Sequence, residues 1–409
     1  MILLRGASVV LADRVLGPAT VAIDGDEIVE VAPGTRRAAN ASVADLHGHF
    51  IVPGFIDVHV HGVEGHDVQD PAAPIGAVAR RLPKFGVTAF CPTTVACGPA
   101  DLAQILRAIR QARDHGVEEA ARVLPAHLES NFINPDYRGA QPIACLRLPP
   151  TLPGSAPGVS PSATGRERSD FGGEDILATI AGWGSEVGIV TLAPELEGAL
   201  PFIRHLVERG HRVSLGHSGA SFEAGLAGID AGARQATHLF NRMPPLHHRD
   251  PGLVGAILAR EETAAEIVCD GHHVHPAVLQ AAVSVKGPAR TMAITDGTAV
   301  SGLPVGSTAS LGGRRITARE TAAFLDDGTL AGSVLTMDRA FRFLVRTLER
   351  TLVDAAVMCS TTPATELGLQ RLGRLAAGMI ADLVVLDGEL RVAQTWVGGR
   401  KVFEKLYED

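Results

Sequence analysis

The chain reads Ile51-Val52-Pro53-Gly54-Phe55-Ile56-Asp57-Val58-His59-Val60-His61-Gly62 where an apolar run meets two histidines. Side chains two positions apart in an extended strand share a face, so His59 and His61 are predicted to point the same way. Two imidazoles directed at one place, at the end of an apolar strand, are typical of a metal site at the mouth of a barrel. The alternative is a half-buried strand that happens to carry histidines, and the motif alone leaves both interpretations open.

The composition limits the class of protein. A chain of 409 residues with 46% hydrophobic and 20% charged residues can form one large domain with a substantial core and a smaller second one. The formal net charge of -8 argues against a nucleic acid or an anionic membrane as the main partner. The 5 cysteines are scattered without a CxxC pair, and no apolar run is long enough to span a bilayer. We therefore expect reduced thiols and a cytoplasmic location.

Both ends of the chain have the sequence texture of β-structure. Residues 1–52 contain short strand-like runs around the hairpin signal Asp24-Gly25-Asp26, and residues 373–409 contain further runs separated by glycine-rich turns. We predict a small β-sandwich domain formed by these two segments together, flanking a different domain at residues 53–372.

The middle segment alternates strand-like and helix-like patterns, which predicts βα units and a parallel sheet. Eight apolar runs are predicted strands: Phe55–Val60, Thr88–Pro92, Arg122–Leu128, Gly188–Leu192, Arg212–Leu215, Gln235–Leu239, Glu266–Cys269 and Thr291–Ile294. Eight units of this kind indicate an α/β fold with a (β/α)8 TIM-like barrel, closed by helices within Met337–Leu369.

Titratable or hydroxyl side chains follow nearly every predicted strand. They are His59 and His61, Thr93 and Thr94, Glu129, Glu195, His217, His238, Asp270 with His273, and Asp296. Active sites of this fold collect at the carboxyl ends of the strands, so these side chains are expected to meet. The long Pro- and Gly-rich loop between Leu148 and Gly173 departs from the pattern, and we interpret it as an active-site lid rather than a tolerated excursion.

Four histidines and two carboxylates in this set form a coherent group of metal ligands: His59, His61, His217, His238, Glu129 and Asp296. The mixture of imidazole and carboxylate suits zinc or another first-row divalent ion better than calcium or magnesium. Six ligands exceed what one open catalytic site needs, and they suit two ions with a bridging carboxylate. Such ions lower the pKa of water toward neutrality, and Asp296 is the candidate to accept and return the proton.

Several longer motifs identify a family. The chain resembles N-acetylglucosamine-6-phosphate deacetylase of the amidohydrolase superfamily over nearly its whole length. The resemblance rests on residues 53–62, His127-Leu128-Glu129, residues 190–195, Gly216-His217-Ser218, residues 236–244, residues 250–256, Asp270-Gly271-His272-His273-Val274, Thr295-Asp296 and residues 330–337.

The resemblance implies a role for each matching residue. Glu129, His217 and His238 would hold the metal common to all members, and His59 with His61 would complete a second site that some members lack. Asp296 would be the catalytic acid and base. Positions that contact the substrate would be Ala140, Gln141, Asn241, Arg242, Arg249, His273, Leu330, Ala331 and Gly332. The family also suggests a homodimer in which Arg249 contributes across the interface, where its guanidinium suits a phosphate.

Two positions depart from the family's pattern. The family usually continues Gly-Pro after the His-Leu-Glu motif, whereas this chain has Ser130 and Asn131. Where the family usually has a histidine that polarises the acetyl carbonyl, this chain has Gln141, which can donate a hydrogen bond but cannot become a charged donor.

The resemblance predicts a metal-dependent hydrolase that removes the acetyl group from N-acetylglucosamine-6-phosphate. Zinc is the expected ion, with iron, manganese, cobalt and nickel as alternatives and one or two ions bound. The departures leave open another N-acyl substrate, such as N-acetylgalactosamine-6-phosphate, an N-acyl amino acid or a cyclic amide. A binding protein on a retained barrel is a further alternative, which the complete ligand set argues against.

Overall fold

The computed structural model describes residues 1–37, 40–70, 75–152 and 170–405 of the chain. The N-terminal part of the chain, up to Pro53, forms five strands, numbered here in chain order: β1 (Ile2–Val10), β2 (Val15–Asp24), β3 (Glu27–Pro33), β4 (Ser42–Asp45) and β5 (Phe50–Pro53). Strands β2 and β3 pair in antiparallel register with Asp24 opposite Glu27, so the predicted hairpin at Gly25 is formed.

Strands and helices alternate through the middle of the chain. The strands are β6 (Phe55–Val60), β7 (Gly62–Val63), β8 (His66–Asp67), β9 (Val87–Thr94), β10 (Arg122–Val123), β11 (Ala126–Glu129), β12 (Val187–Leu192), β13 (Arg212–Leu215), β14 (Gln235–Ala236), β15 (Ala264–Val268) and β16 (Thr291–Ile294). The helices are α1 (Ile75–Arg81), α2 (Pro99–His115), α3 (Gly173–Gly182), α4 (Ala199–Glu208), α5 (Phe222–Asp230), α6 (Gly252–Ala259) and α7 (Pro276–Lys286).

Eight of these strands form a parallel barrel. Strand β6 pairs with β9, β9 with β11, and β11 to β16 follow in chain order. A bridge between Val60 and Gly297 brings the last strand back to the first. The predicted (β/α)8 barrel is therefore confirmed, and the carboxyl ends of its strands meet at one rim. The third predicted strand is split, because Leu124 and Pro125 interrupt it between β10 and β11.

A small antiparallel sheet after the barrel was not predicted. It consists of β17 (Thr308–Leu311), β18 (Arg314–Ala318), β19 (Ala322–Leu325) and β20 (Leu330–Ser333), paired in sequence. Leu330, Ala331 and Gly332, which the resemblance implies as substrate contacts, belong to β20. Short runs broken by Gly312-Gly313 and Asp327-Gly328 have the texture of loops, which explains why the sequence pattern did not indicate strands.

The chain then closes the barrel and returns to the first sheet. Helices α8 (Met337–Arg346), α9 (Leu352–Ala356) and α10 (Thr362–Leu367) are followed by β21 (Leu383–Leu386), β22 (Val392–Val397) and β23 (Arg400–Glu404). The terminal strands form one sheet in the order β23-β22-β21-β5-β1-β2-β3, with β4 beside β1. The two ends of the chain thus build one separate unit, while domain boundaries after residues 52 and 372 stay a prediction.

The terminal sheet is fixed to the barrel by an ion pair between half-buried Arg122 and buried Asp382. Arg122 at the start of β10 donates to Asp382 just before β21, at 3.0 Å and 3.1 Å. The backbone oxygen of Asp382 accepts the N–H of Gly54 at 3.0 Å, directly before β6. The strand that carries His59 and His61 is therefore held at its base by the terminal unit.

Two further expectations concern the Pro- and Gly-rich loop and membrane-spanning segments. The loop interpreted as a lid lies mostly at residues 153–169, outside the described residues. Within the part of the chain that the structure describes, no helix is long and apolar enough to cross a lipid bilayer.

Candidate metal centre and active site

Three side chains from different strand ends converge on one point at the barrel rim. Nε2 of His217 lies 2.7 Å from Oε1 of Glu129, Nε2 of His238 lies 2.9 Å from the same oxygen, and the two nitrogens are 3.1 Å apart. All three side chains are buried. Two imidazoles and one carboxylate at these separations match the three protein ligands of a catalytic zinc site.

A second group shares Glu129 with the first. Nε2 of His59 lies 3.3 Å from Nε2 of His61, and Nε2 of His61 lies 3.5 Å from Oε2 of Glu129. Both histidines come from the end of β6 and are buried. The carboxylate of Glu129 therefore lies between two histidine pairs, as the expected bridging ligand of two ions would.

The outer ring nitrogens hold the histidines in the orientation that ligands need. Nδ1 of His217 donates to the carbonyl of Tyr137 at 2.8 Å, and Nδ1 of His61 donates to the carbonyl of Thr93 at 3.0 Å. Each bond places the ring proton on Nδ1 and leaves the Nε2 lone pair facing the centre.

The unpaired donor atoms fit a divalent cation. Lone pairs on facing nitrogens 3.1 Å and 3.3 Å apart repel unless a proton or a metal ion lies between them. Burial lowers the pKa of His59 to about 3, which keeps this ring in the neutral form that coordinates metals. Imidazole nitrogens together with a carboxylate are the donor set that zinc and its neighbours prefer.

Asp296 lies beside the second histidine pair, at the end of β16. Its Oδ1 is 3.3 Å from Nε2 of His61 and 3.5 Å from Nε2 of His59. Burial raises the pKa of Asp296, but the contact with His61 and the other neighbouring imidazoles outweigh burial and lower the pKa to about 2. The Asp296 carboxylate is therefore ionised and able to accept a proton at neutral pH.

The backbone is strained at the residues of the centre. His217, His238 and Asp296 have φ angles of +47°, +29° and +48°, in the left-handed region that residues other than glycine rarely adopt. Such strain persists only where surrounding structure enforces it, and it concentrates at functional sites. The sequence contains no signal for it.

Gln141 contacts the carboxylate of Glu129 as well as the open cavity. Its amide nitrogen donates to Oε2 of Glu129, and its amide oxygen accepts the backbone N–H of Ala96 at 2.7 Å. The side chain is buried. The amide is thus oriented from both ends, and its second N–H is the one left for a bound molecule.

A cavity of about 460 Å³ opens above this centre. Seven of the nine residues predicted to contact substrate line it: Ala140, Gln141, Asn241, Arg242, His273, Leu330 and Gly332. Ala331 instead is fully buried in the core of the small sheet. Arg249 is exposed and its guanidinium contacts Nε2 of His248 at 2.9 Å, so a single chain does not bring Arg249 into the cavity lining.

His273 points a free nitrogen into the cavity. Its Nδ1 donates to Asp270 at 2.6 Å, while its Nε2 is buried without a hydrogen-bond partner among the described residues. Burial raises the pKa of Asp270, but the hydrogen bond from His273 outweighs burial and leaves the pKa lowered. An aspartate that holds an imidazole in this way prepares its other nitrogen to bind a polar group of a ligand.

Glu266 and His127 belong to the centre, and the sequence reasoning gave neither a role. Oε2 of Glu266, on β15, accepts from Nδ1 of His59 at 3.0 Å. Nδ1 of His127, on β11, donates to the carbonyl of Val58 at 2.9 Å. Burial raises the pKa of Glu266 to about 7. A charged residue within the otherwise apolar run Ala264–Val268 is the signal that could have identified Glu266.

Glu195 is a predicted strand-end residue that lies outside the ligand cluster. Its carboxylate accepts from the amide of Asn134 at 2.9 Å, the hydroxyl of Ser218 at 2.7 Å and the backbone of Gly219 at 2.6 Å. These bonds tie together the two loops that carry Tyr137 and His217. Glu195 therefore supports the centre without facing it.

Comparison with known proteins places this centre in a family. A model described as the Amidohydrolase family matches residues 213–402. An N-acetylglucosamine-6-phosphate deacetylase from Vibrio furnissii is 34% identical over 388 residues, covering 94% of this chain and 91% of the relative. The chain belongs to the N-acetylglucosamine-6-phosphate deacetylase family of amidohydrolases. It is a hydrolase of carbon–nitrogen bonds.

Other members resemble the chain to a similar degree. An N-acetylgalactosamine-6-phosphate deacetylase from Escherichia coli O157:H7 is 34% identical, covering 92% of this chain and 94% of the relative. A mutant N-acetyl-D-glucosamine-6-phosphate deacetylase from Mycobacterium smegmatis was solved in complex with N-acetyl-D-glucosamine-6-phosphate. It superposes with a TM-score of 0.86 at 30% identity over 98% of this chain and 99% of that one. Amidohydrolases of this kind are metal-dependent, in agreement with the ligand groups at the barrel rim.

Proposed function

We propose that the chain hydrolyses N-acetylglucosamine-6-phosphate to glucosamine-6-phosphate and acetate. The observation that carries the proposal is the position of Glu129 between the two histidine pairs, with Asp296 beside them at the base of the cavity. The likeness to deacetylases of this name along nearly the whole chain supports the same substrate class.

Zinc is the proposed ion, with one ion held by Glu129, His217 and His238 and a second by His59 and His61 beside Asp296. When bound, divalent ions of this kind lower the pKa of water and polarise a carbonyl. The protein's own contribution is to direct the Nε2 atoms of His61 and His217 inward, through the carbonyls of Thr93 and Tyr137.

Asp296 is the proposed catalytic acid and base. Because its pKa is lowered to about 2, the carboxylate is ionised and accepts a proton from the attacking water. The same oxygen then returns that proton to the departing amine nitrogen, which completes cleavage of the amide. The remaining N–H of Gln141 is a neutral donor at the cavity wall that can face the acetyl oxygen.

The opposite side of the cavity is proposed to bind the sugar phosphate. Asn241, Arg242 and His273 line it, and His273 offers its unpartnered Nε2. Arg249 lies outside the lining of its own chain, so its contribution to phosphate binding requires a second subunit. We therefore propose a homodimer in which Arg249 of one chain completes the site of the other.

Acetate release by purified, zinc-loaded protein tests this proposal. N-acetylglucosamine-6-phosphate should be cleaved faster than the N-acetylgalactosamine isomer, an N-acetyl amino acid or unphosphorylated N-acetylglucosamine. Faster release from the galactosamine isomer would assign the chain to the second activity, which the similarity to the Escherichia coli enzyme also allows. No release from either sugar phosphate would reject the proposed substrate.

A further inference from the structure

Glu266 is a fully buried carboxylate placed beneath the metal centre. Its Oε2 accepts from Nδ1 of His59 at 3.0 Å and lies 3.3 Å from the backbone nitrogen of His238, which donates to it. Its Oε1 has no hydrogen-bond partner among the described residues and lies 3.9 Å from Nδ1 of His127. One carboxylate oxygen thus contacts a member of each histidine pair.

Nothing in the barrel's packing requires a carboxylate at this place. The other residues of β15 are Ala264, Ala265, Ile267 and Val268, all buried and apolar. Burying a carboxyl group among them is costly unless its hydrogen bonds compensate. Among the described residues, the Glu266 carboxylate accepts two hydrogen bonds, and both come from residues of the centre, so these contacts explain its position.

The four histidines whose Nε2 atoms face the centre differ in what their Nδ1 atoms contact. Backbone carbonyls accept the Nδ1 protons of His61 and His217, and Nδ1 of His238 has no partner among the described residues. Only His59 has a side-chain acceptor, the carboxylate of Glu266. A backbone acceptor survives mutation, whereas the acceptor for His59 can be removed by a single substitution.

We propose that Glu266 is the positioning residue that makes His59 a metal ligand, and that it thereby determines whether the second ion binds. The inference rests on the proposed metal-dependent function. With Glu266 in place, the His59 proton is fixed on Nδ1 and the Nε2 lone pair faces the centre. Without it, the ring can rotate or carry its proton on Nε2, and the second pair loses one donor.

Metal counting on three variants tests the proposal. Protein loaded with Zn²⁺ and passed through gel filtration is analysed by mass spectrometry for ions per chain, and the second dissociation constant is measured by chelator competition. We expect two ions in the wild type and one in Glu266→Leu. Glu266→Asp should also lose the second ion, because the shorter side chain cannot reach His59. Glu266→Gln keeps an acceptor oxygen and should retain the second ion with affinity reduced about 10–100-fold.

Glu186→Gln is the matched control. Glu186 is also a buried carboxylate, but it pairs with Arg110 and Arg113 away from the centre. This variant should lower the melting temperature and keep two ions. Circular dichroism of the metal-free variants identifies any loss of fold, and Glu266→Asp and Glu266→Gln decide the outcome if Glu266→Leu does not fold.

Two ions bound with wild-type affinity in Glu266→Leu or Glu266→Asp would overturn the inference. A wild type that binds a single ion would overturn it as well. The proposed function fails separately, on acetate release: a wild type that releases no acetate but loses its second ion on Glu266 substitution would reject the substrate and support the role of Glu266.

Discussion

Gln141 donates its amide N–H to one oxygen of Glu129, while the other oxygen of that carboxylate faces His217 and His238. The Gln141 amide cannot turn freely, because its own oxygen accepts the N–H of Ala96. The carboxylate shared by the two histidine pairs is therefore oriented by a neutral donor. The position that departs from the family's histidine thus supports the carboxylate that is proposed to hold both ions.

Replacing Gln141 by leucine should weaken metal binding. The buried oxygen of Glu129 loses its donor, and loss of such a supporting contact lowers metal affinity about 10–100-fold. Chelator competition measures the effect. Gln69→Leu is the control, since Gln69 makes the same kind of amide contacts to the neighbouring Val95 without touching a ligand. Equal metal affinity in the two variants would contradict this role for Gln141.

Asp296→Asn should abolish most of the activity and leave the metal site of Glu129, His217 and His238 filled. An amide cannot accept and return the proton, and general acid–base catalysis contributes about 10²–10⁴-fold to rates. Steady-state acetate release gives kcat and elemental analysis gives the ion content. Asp382→Asn removes another buried carboxylate, which pairs with Arg122 and does not line the cavity, and it should change stability rather than kcat. A fall in kcat of less than tenfold in Asp296→Asn would exclude Asp296 as the acid and base.

The double substitution His59→Ala with His61→Ala should remove one ion and retain the other. Both side chains belong to the second pair, whereas Glu129, His217 and His238 form a complete three-ligand group without them. Elemental analysis after zinc loading checks the count. His211→Ala serves as the control, because this buried histidine donates to the carbonyl of Val187 away from the centre. A double variant with no bound metal would show that the two positions are not independent.

Arg249→Ala should raise KM for the phosphorylated sugar and hardly change it for unphosphorylated N-acetylglucosamine. A charge-assisted hydrogen bond to phosphate contributes about 1.5–3 kcal/mol, which corresponds to roughly 10–100-fold in KM. Arg14→Ala is the control, since Arg14 is an exposed arginine between β1 and β2 that pairs with Asp13. Sedimentation experiments run in parallel establish whether the active protein is a dimer. An unchanged KM in Arg249→Ala would remove Arg249 from the phosphate site.

Lys286 should make stability depend on alkaline pH. Its ammonium group donates to the carbonyls of Ile257 and Arg260 at the end of α6, and burial lowers its pKa to about 8 from 10.5. Since the unfolded state binds this proton more tightly, the free energy of unfolding should rise between about pH 8 and pH 10.5 and lose this dependence below pH 8.

Urea denaturation at pH 7, 9 and 10 measures the dependence on Lys286. Lys286→Met should remove this pH dependence of the free energy of unfolding. It should also lower the free energy of unfolding at pH 7 by about 1–3 kcal/mol, because the helix carbonyls lose their donor. Lys84→Met, at an exposed lysine paired with Glu64, should leave the wild-type dependence intact. The same slope in Lys286→Met and wild type would rule out Lys286 as its source.

Local pattern was enough to predict the barrel and most of its elements. Arg212–Leu215 and Thr291–Ile294 are strands with the predicted bounds. Periodicity is a local property, and each of these segments buries the face that its pattern indicates. The small sheet of β17 to β20 escaped prediction, because its strands are short and become strands by pairing with one another.

That these side chains meet could likewise be predicted from sequence, because the barrel rule brings every strand end to one rim. His59, His61, Glu129, His217, His238 and Asp296 could be listed without knowing a single distance. The histidines that contact the same oxygen of Glu129 could not be identified, because this depends on strand order and on the tilt of neighbouring strands. Glu266 was missed because a charged residue in an apolar strand signals a buried polar contact but does not identify the partner, which is His59.

The sequence by itself thus determined the barrel, the family and the atoms available for chemistry, since these follow from periodicity and from motifs of neighbouring residues. Only the tertiary structure decided that Gln141 faces Glu129, that Glu266 supports His59 and that Arg249 lies outside its own cavity. The physical reason is the separation along the chain over which each kind of interaction acts. Backbone preference acts between near neighbours in the chain, whereas the orientation of a buried side chain depends on donors and acceptors brought close by folding, as with the 207 residues that separate His59 from Glu266.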